Sequence, residues 1–94
     1  MNLDDDLIEQ YLASGGRARK ELLKRVLSGQ PDPSEAIRLA PTLRDPSPRV
    51  AARITALLAR HQLRDVFEQQ LEGLKPGKIA LLRGQFEKIA RSHR

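Results

Sequence analysis

The chain has no cysteine and no tryptophan, and only Tyr11, Phe67 and Phe86 are aromatic, 3% of its residues. Without cysteine there is no disulfide framework, no thiolate metal site and no thiol nucleophile, a pattern that suits the cytoplasm. So few aromatics leave Leu, Ile, Val and Ala to build the core. They also leave little to stack on the unpaired bases of single-stranded nucleic acid. No apolar run approaches the roughly 18 residues needed to cross a bilayer. The opening MNLDDDLIEQ is acidic and carries no apolar stretch of the kind found in a signal peptide. Only two histidines occur, His61 and His93. Both fall near predicted helix ends, where a cation favours the helix dipole more often than it serves as a base.

What is present is helix-forming material in amounts ordinary for a folded domain. The 94 residues are 39% hydrophobic and 31% charged, enough for a single domain, 1–94, with one modest core. Period-2 alternation is absent and helical spacing recurs. The first predicted helix runs from about Asp4 to Ser14 and is stopped by Gly15-Gly16. The second runs from about Arg17 to Ser28 and ends at Gly29, before Pro31 and Pro33. The third starts on a capping box, Asp32 with Glu35 three residues on and Pro33 at the first position. It carries Ile37, Leu39, Ala40 and Leu43 and is kinked by Pro41, which lacks an N–H and clashes with the carbonyl of Ile37.

Asp45-Pro46-Ser47-Pro48 is a turn and a helix start at once. The fourth helix, about Pro48 to Arg60, places Val50, Ile54, Leu57 and Leu58 at i, i+4, i+7 and i+8. A fifth covers about Leu63 to Glu72. A sixth runs from about Pro76 to Ser92 and presents Ile79, Leu82, Phe86 and Ile89. The predicted fold class is all-α, with three stacked antiparallel hairpins at about 1–30, 31–62 and 63–94. An irregular five- or six-helix bundle is the alternative.

The middle unit, IRLAPTLRDPSPRVAARITALLARH, resembles a HEAT repeat over about residues 36–61: a proline-kinked first helix, an Asp-Pro-Ser turn, and a second helix opening on valine. Ile37, Leu39, Leu43, Asp45, Val50, Leu57 and Leu58 fall where such repeats place apolar and turn residues. The resemblance implies a short α-solenoid that binds other proteins, or, in some relatives, DNA. The chain departs from the pattern at Ala51, where the family commonly has an arginine that pairs with the turn aspartate. Arg49 and Arg53 flank that position instead.

Charge is sorted along the chain. Residues 17–29, 48–61 and 75–94, the second helices of the hairpins, hold 14 of the 17 Lys and Arg residues against only Glu21 and Glu87. The remainder holds 3 basic and 10 acidic residues. At about 100° per residue, Arg49, Arg53 and Arg60 fall within roughly 40° of one another, clear of the apolar sector. Arg17, Lys20, Lys24 and Arg25 lie opposite Leu22 and Val26, and Arg83, Lys88 and Arg91 lie away from Ile79 and Phe86. Part of the acidic bias is local, because Asp4, Asp5, Asp6, Asp32 and Asp65 sit at helix N-termini.

These features predict a non-enzymatic adaptor, cytoplasmic, that docks an acidic protein or peptide on Arg17, Lys20, Lys24, Arg49, Arg53, Arg60, Arg83, Lys88 and Arg91. Sequence-independent binding of a nucleic-acid backbone by the same residues is the alternative. Self-association through Tyr11 and the terminal hairpins is a further expectation. A membrane-surface role for residues 17–28 is set aside, because their leucines are needed in the core. No catalytic, metal or cofactor residues are assigned. Asp4-Asp5-Asp6 reads as N-terminal capping. Gly73 to Lys78 is one residue short of a phosphate loop and has neither its Ser/Thr nor its strand.

Overall fold

The computed structural model describes residues 5–92 and is all-α, with no strand among those residues. Six α-helices follow one another: α1 (Asp5–Ala13), α2 (Gly16–Ser28), α3 (Pro33–Leu39), α4 (Pro48–Arg60), α5 (Arg64–Leu71) and α6 (Pro76–Ser92). Between α3 and α4 lies a 3-10 segment, Ala40–Arg44. The Asp4 and His93 readings fall outside the described residues.

Helix starts follow from local chemistry. Asp32 accepts from the Glu35 N–H at 2.9 Å, and Glu35 Oε1 accepts from the Asp32 N–H at 3.0 Å, closing the capping box ahead of Pro33. The Glu35 N–H, and next the Ser34 hydroxyl, hold the Asp32 carboxyl below the usual range. Ser47 caps α4 through the Val50 N–H, with Pro48 at the first helical position. Gly16, at φ +55°, makes the turn between α1 and α2, and Gly73, at φ +85°, the turn between α5 and α6.

Two expectations, on Pro41 and Ile37, are corrected in detail, and Gly29 caps α2 as expected. Pro41 does not merely kink a continuous helix. Because it cannot donate a hydrogen bond, the chain leaves α geometry at Leu39 and tightens to a 3-10 segment. The left-handed residue after α2 is Gln30 (φ 52°), while Gly29 stays at φ −77°. Gln62 (φ 57°) plays the same part after α4, where Gln62 N–H bonds Ala59 O and Leu63 N–H bonds Leu58 O in a Schellman closure. Finally, Ile37 is not a core residue and is 47% exposed.

Helix α4 is the centre of the molecule. It packs most closely on α6 and also touches α2, α3, α5 and the 3-10 segment, while α1 packs on α2. Its buried residues include Val50, Ile54, Leu57 and Leu58, as the spacing predicts, together with Ala51, Thr55 and Ala59. The last three recur every fourth residue and form a low ridge. Leu23, Val26, Leu39, Leu43, Leu71 and Leu82 complete the aliphatic core. The Phe67 and Phe86 rings stack with centroids 4.5 Å apart, joining α5 to α6.

Tyr11 is fully buried, which removes it from any surface role in self-association. Its hydroxyl lies 2.8 Å from Thr42 Oγ1, and Thr42 in turn donates to Leu39 O at 2.8 Å. With the threonine proton committed to Leu39, Tyr11 is the donor of the pair. Burial pushes the Tyr11 phenol above its ordinary pKa.

Candidate interaction surface

The core arrangement decides which cations face outward. Arg49, Arg53 and Arg60 are all exposed, on the side of α4 opposite its buried residues. None of the three has an ion-pair or hydrogen-bond partner among the described residues. Arg17 and Lys20 on α2, and Lys88 and Arg91 on α6, are likewise exposed and without an ion pair among the described residues. Lys24 reaches only Glu21, at 4.0 Å, and both side chains are open to solvent. Since α4 contacts both α2 and α6, the three basic helices are neighbours through α4.

Other arginines are held by the protein itself. Arg38 on α3 donates to Asp5 and Glu9 of α1, each at 2.9 Å. Arg64 pairs with Glu87 and lies over the Phe86 ring at 4.9 Å. Arg83 takes both oxygens of Glu68, at 2.6 and 3.1 Å, and lowers the pKa of that carboxyl. Arg83, although predicted to face a partner, is thus engaged by Glu68 of α5. Arg44 spans from the 3-10 segment to the carbonyls of Gln70 (3.3 Å) and Glu72 (2.6 Å), at the end of α5.

The turn aspartate has a partner that the residue spacing did not indicate. Asp45 accepts from Arg19 at 2.9 Å, and Arg19 also donates to Leu12 O at 3.0 Å and lies 5.6 Å from the Tyr11 ring centroid. Arg19 is the fourth residue of α2, as Ala51 is the fourth of α4. The turn before α4 is thus paired from α2, not from α4 itself. Lys78 of α6 adds a bond to Asp45 O at 3.3 Å. Both cations therefore hold the turn and are not offered outward.

Two clefts border α4, and Arg60 of the stripe lines the first of them. One lies at the C-terminal end of α4, where Leu27, Leu57, Arg60 and His61 surround a space of about 460 Å³ that also includes Asp32. His61 Nε2–H donates to Pro31 O at 2.9 Å, which fixes the ring as part of the wall. The other, of about 330 Å³, lies between the N-terminal halves of α4 and α6.

No cluster of three or more His, Cys, Asp or Glu suited to a metal ion occurs among the described residues. None of the helices they form is long and apolar enough to cross a membrane. Comparison with protein families, curated proteins and solved structures finds no match to this chain. The fold and surface define a small all-α protein whose three α4 arginines are exposed and without an ion pair among the described residues.

Proposed function

We propose that this chain is a non-enzymatic protein–protein interaction module, three stacked HEAT-like hairpins that dock an acidic partner on the basic face of α2, α4 and α6. The observation that carries this reading is selective pairing. Arg19, Arg38, Arg64 and Arg83 each have a carboxylate within the molecule, whereas Arg49, Arg53 and Arg60 have none among the described residues. Helices α2 and α6 hold cations of both kinds, whereas all three of α4 are without a carboxylate among the described residues.

The stacking is supported by the order of contacts, α2 beside α4 and α4 beside α6. It is also supported by bridges between successive units: Arg19 to Asp45, Arg38 to α1, and Arg44 to the end of α5. A smallest dimension of 18 Å suits two helix layers. An acidic protein segment is favoured over single-stranded nucleic acid because Tyr11, Phe67 and Phe86 are all buried, leaving no aromatic to stack on bases.

The test is binding of a fluorescein-labelled poly-glutamate peptide by anisotropy, compared with a random-sequence DNA duplex. Wild type should bind the peptide, and Arg49→Glu/Arg53→Glu/Arg60→Glu should abolish binding while retaining its helical circular dichroism. Equal peptide binding by the triple variant would overturn the basic-face reading. Duplex binding that outcompetes the peptide, and collapses by about 10³-fold or more between 50 and 200 mM salt, would assign the face to nucleic acid instead.

A further inference from the structure

Apart from Pro48 at its start, α4 leaves uncovered only Arg49, Ala52, Arg53, Ala56 and Arg60, and every other residue of the helix is buried. Arg49, Arg53, Ala56 and Arg60 fall at i, i+4, i+7 and i+11, a 4-3-4 spacing that keeps them on one narrow seam of a helix. Ala56 lies between Arg53 and Arg60 along that seam, so no bulky side chain separates the guanidiniums. The helix carries no carboxylate of its own, and none of its three arginines is paired with one among the described residues.

Other arginines show how helices of this molecule pair by charge. Arg38 of α3 takes Asp5 and Glu9, four residues apart on α1, each at 2.9 Å. Arg64 of α5 pairs with Glu87 of α6, and Arg83 of α6 with Glu68 of α5. Each contact joins side chains of two different helices. The α4 row has the cations for such a pairing and no acidic helix opposite it among the described residues.

Spacing decides the form of the partner. A helix rises about 1.5 Å per residue, so Arg53 and Arg60 stand about 6 and 16 Å along the axis from Arg49. A second helix lying along α4 meets those intervals with carboxylates four and eleven residues on, which share one face. An extended segment rises about 3.3 Å per residue and reaches the same points two and five residues on. Its side chains alternate, so the third carboxylate projects from the opposite face and one arginine goes unmet.

We infer that the acidic partner of this face is an α-helix, docked along α4 with its carboxylates in a 4-3-4 row against Arg49, Arg53 and Arg60. This rests on the basic-face reading and adds to it the partner's secondary structure and register.

The experiment uses two labelled alanine–glutamine peptides of equal length, hydrocarbon-stapled so that both are helical, each with four glutamates. In one the glutamates lie at i, i+4, i+7 and i+11, a spacing that reads the same in either direction. In the other they are spread around the helix. Wild type should bind the in-register peptide about tenfold more tightly, as two further exposed ion pairs allow. Arg53→Ala should remove most of that preference. A loss by the same factor for both peptides would show a diffuse positive field and overturn the register. Equal affinity of the two peptides for wild type, with poly-glutamate still bound, would overturn the helix while leaving the basic face intact. Failure of both peptides and of poly-glutamate would remove the basic face and the helix with it. A random-sequence DNA duplex that displaces the in-register peptide at equal concentration would assign the row to nucleic acid and likewise overturn the proposal.

Discussion

Arg19 Nη1 donates to Asp45 Oδ2 at 2.9 Å across 26 residues of sequence, and this pair ties α2 to the turn before α4. The guanidinium and carboxylate are only 17% and 9% exposed, so water competes weakly for either. Asp45 Oδ1 is simultaneously bound by the Ser47 N–H at 2.8 Å, which shapes the start of α4. Removing Arg19 leaves a nearly buried carboxylate with one partner fewer.

Arg19→Ala should therefore cost about 2 kcal/mol, less than a fully enclosed pair because the site keeps some solvent access. Thermal denaturation should show a melting temperature lower by roughly 10 °C. A double-mutant cycle with Asp45→Asn should give a coupling energy above about 1 kcal/mol. Additive single effects would show that the two side chains do not support each other.

The two left-handed glutamines lead to opposite outcomes for the same substitution. Gln30 has φ 52°, and no hydrogen bond of its side chain is present among the described residues. Gln62 has φ 57°, but its Nε2 donates to Ala90 O at 3.0 Å and fastens the end of α4 to α6. Gln30→Gly should stabilise the protein by up to about 1 kcal/mol, because glycine adopts this conformation without a Cβ clash. Gln62→Gly relieves the same strain but loses a bond worth about 1 kcal/mol, so it should be neutral or destabilising. Urea midpoints for the two variants check the contrast.

Much of this architecture is written in local sequence. Helices α4 and α6 begin at Pro48 and Pro76 and end at Arg60 and Ser92 as their spacing predicts, because a proline at the first position marks the start without ambiguity. The exposure of Arg49, Arg53 and Arg60 was legible for a similar reason, since the 3.6-residue period turns all three to the side of α4 away from Ile54 and Leu58. Less legible were features settled between distant segments. Gly29 caps α2 as its sequence suggests, while the left-handed residue falls one position on, at Gln30. Tyr11 reads as a spare aromatic until Thr42, 31 residues on, supplies a buried acceptor. Arg83 sits among outward-facing cations by periodicity, but Glu68 on the neighbouring helix captures it. The cleft between α4 and α6 depends on how closely the two helices approach, which no single segment encodes.

Acid should unfold the protein through two identified carboxylates. The Asp32 carboxyl is held below its ordinary range chiefly by the Glu35 N–H, and the Glu68 carboxyl chiefly by Arg83. A carboxyl with a depressed folded-state pKa stabilises the fold above its unfolded pKa, about 4, and loses that contribution as pH falls through the folded value. Stability should thus be level between pH 5 and 7 with respect to these groups and should fall below about pH 4. Asp32→Asn and Glu68→Gln should each flatten the acid limb of the curve of melting temperature against pH. An unchanged acid limb in both variants would assign the acid sensitivity to other groups.

The α4 arginines carry a cost that separates their role in binding from any role in folding. Arg49 and Arg53 are four residues apart on one exposed helix face, where like charges repel by about 0.2–0.5 kcal/mol. Among the described residues no carboxylate offsets that repulsion. Arg53→Ala should consequently leave stability unchanged or raise it by a few tenths of a kcal/mol, and any gain should shrink as salt screens the wild-type repulsion. The same substitution should weaken the acidic peptide and steepen its loss with added salt less than in wild type, since one ionic contact is gone. Chemical denaturation and anisotropy titrations at 50 and 300 mM NaCl read both quantities from one preparation. A loss of stability would mean that Arg53 supports the fold through a contact of its aliphatic stem. A gain in stability with a loss of binding is the signature of a residue whose charge serves a partner.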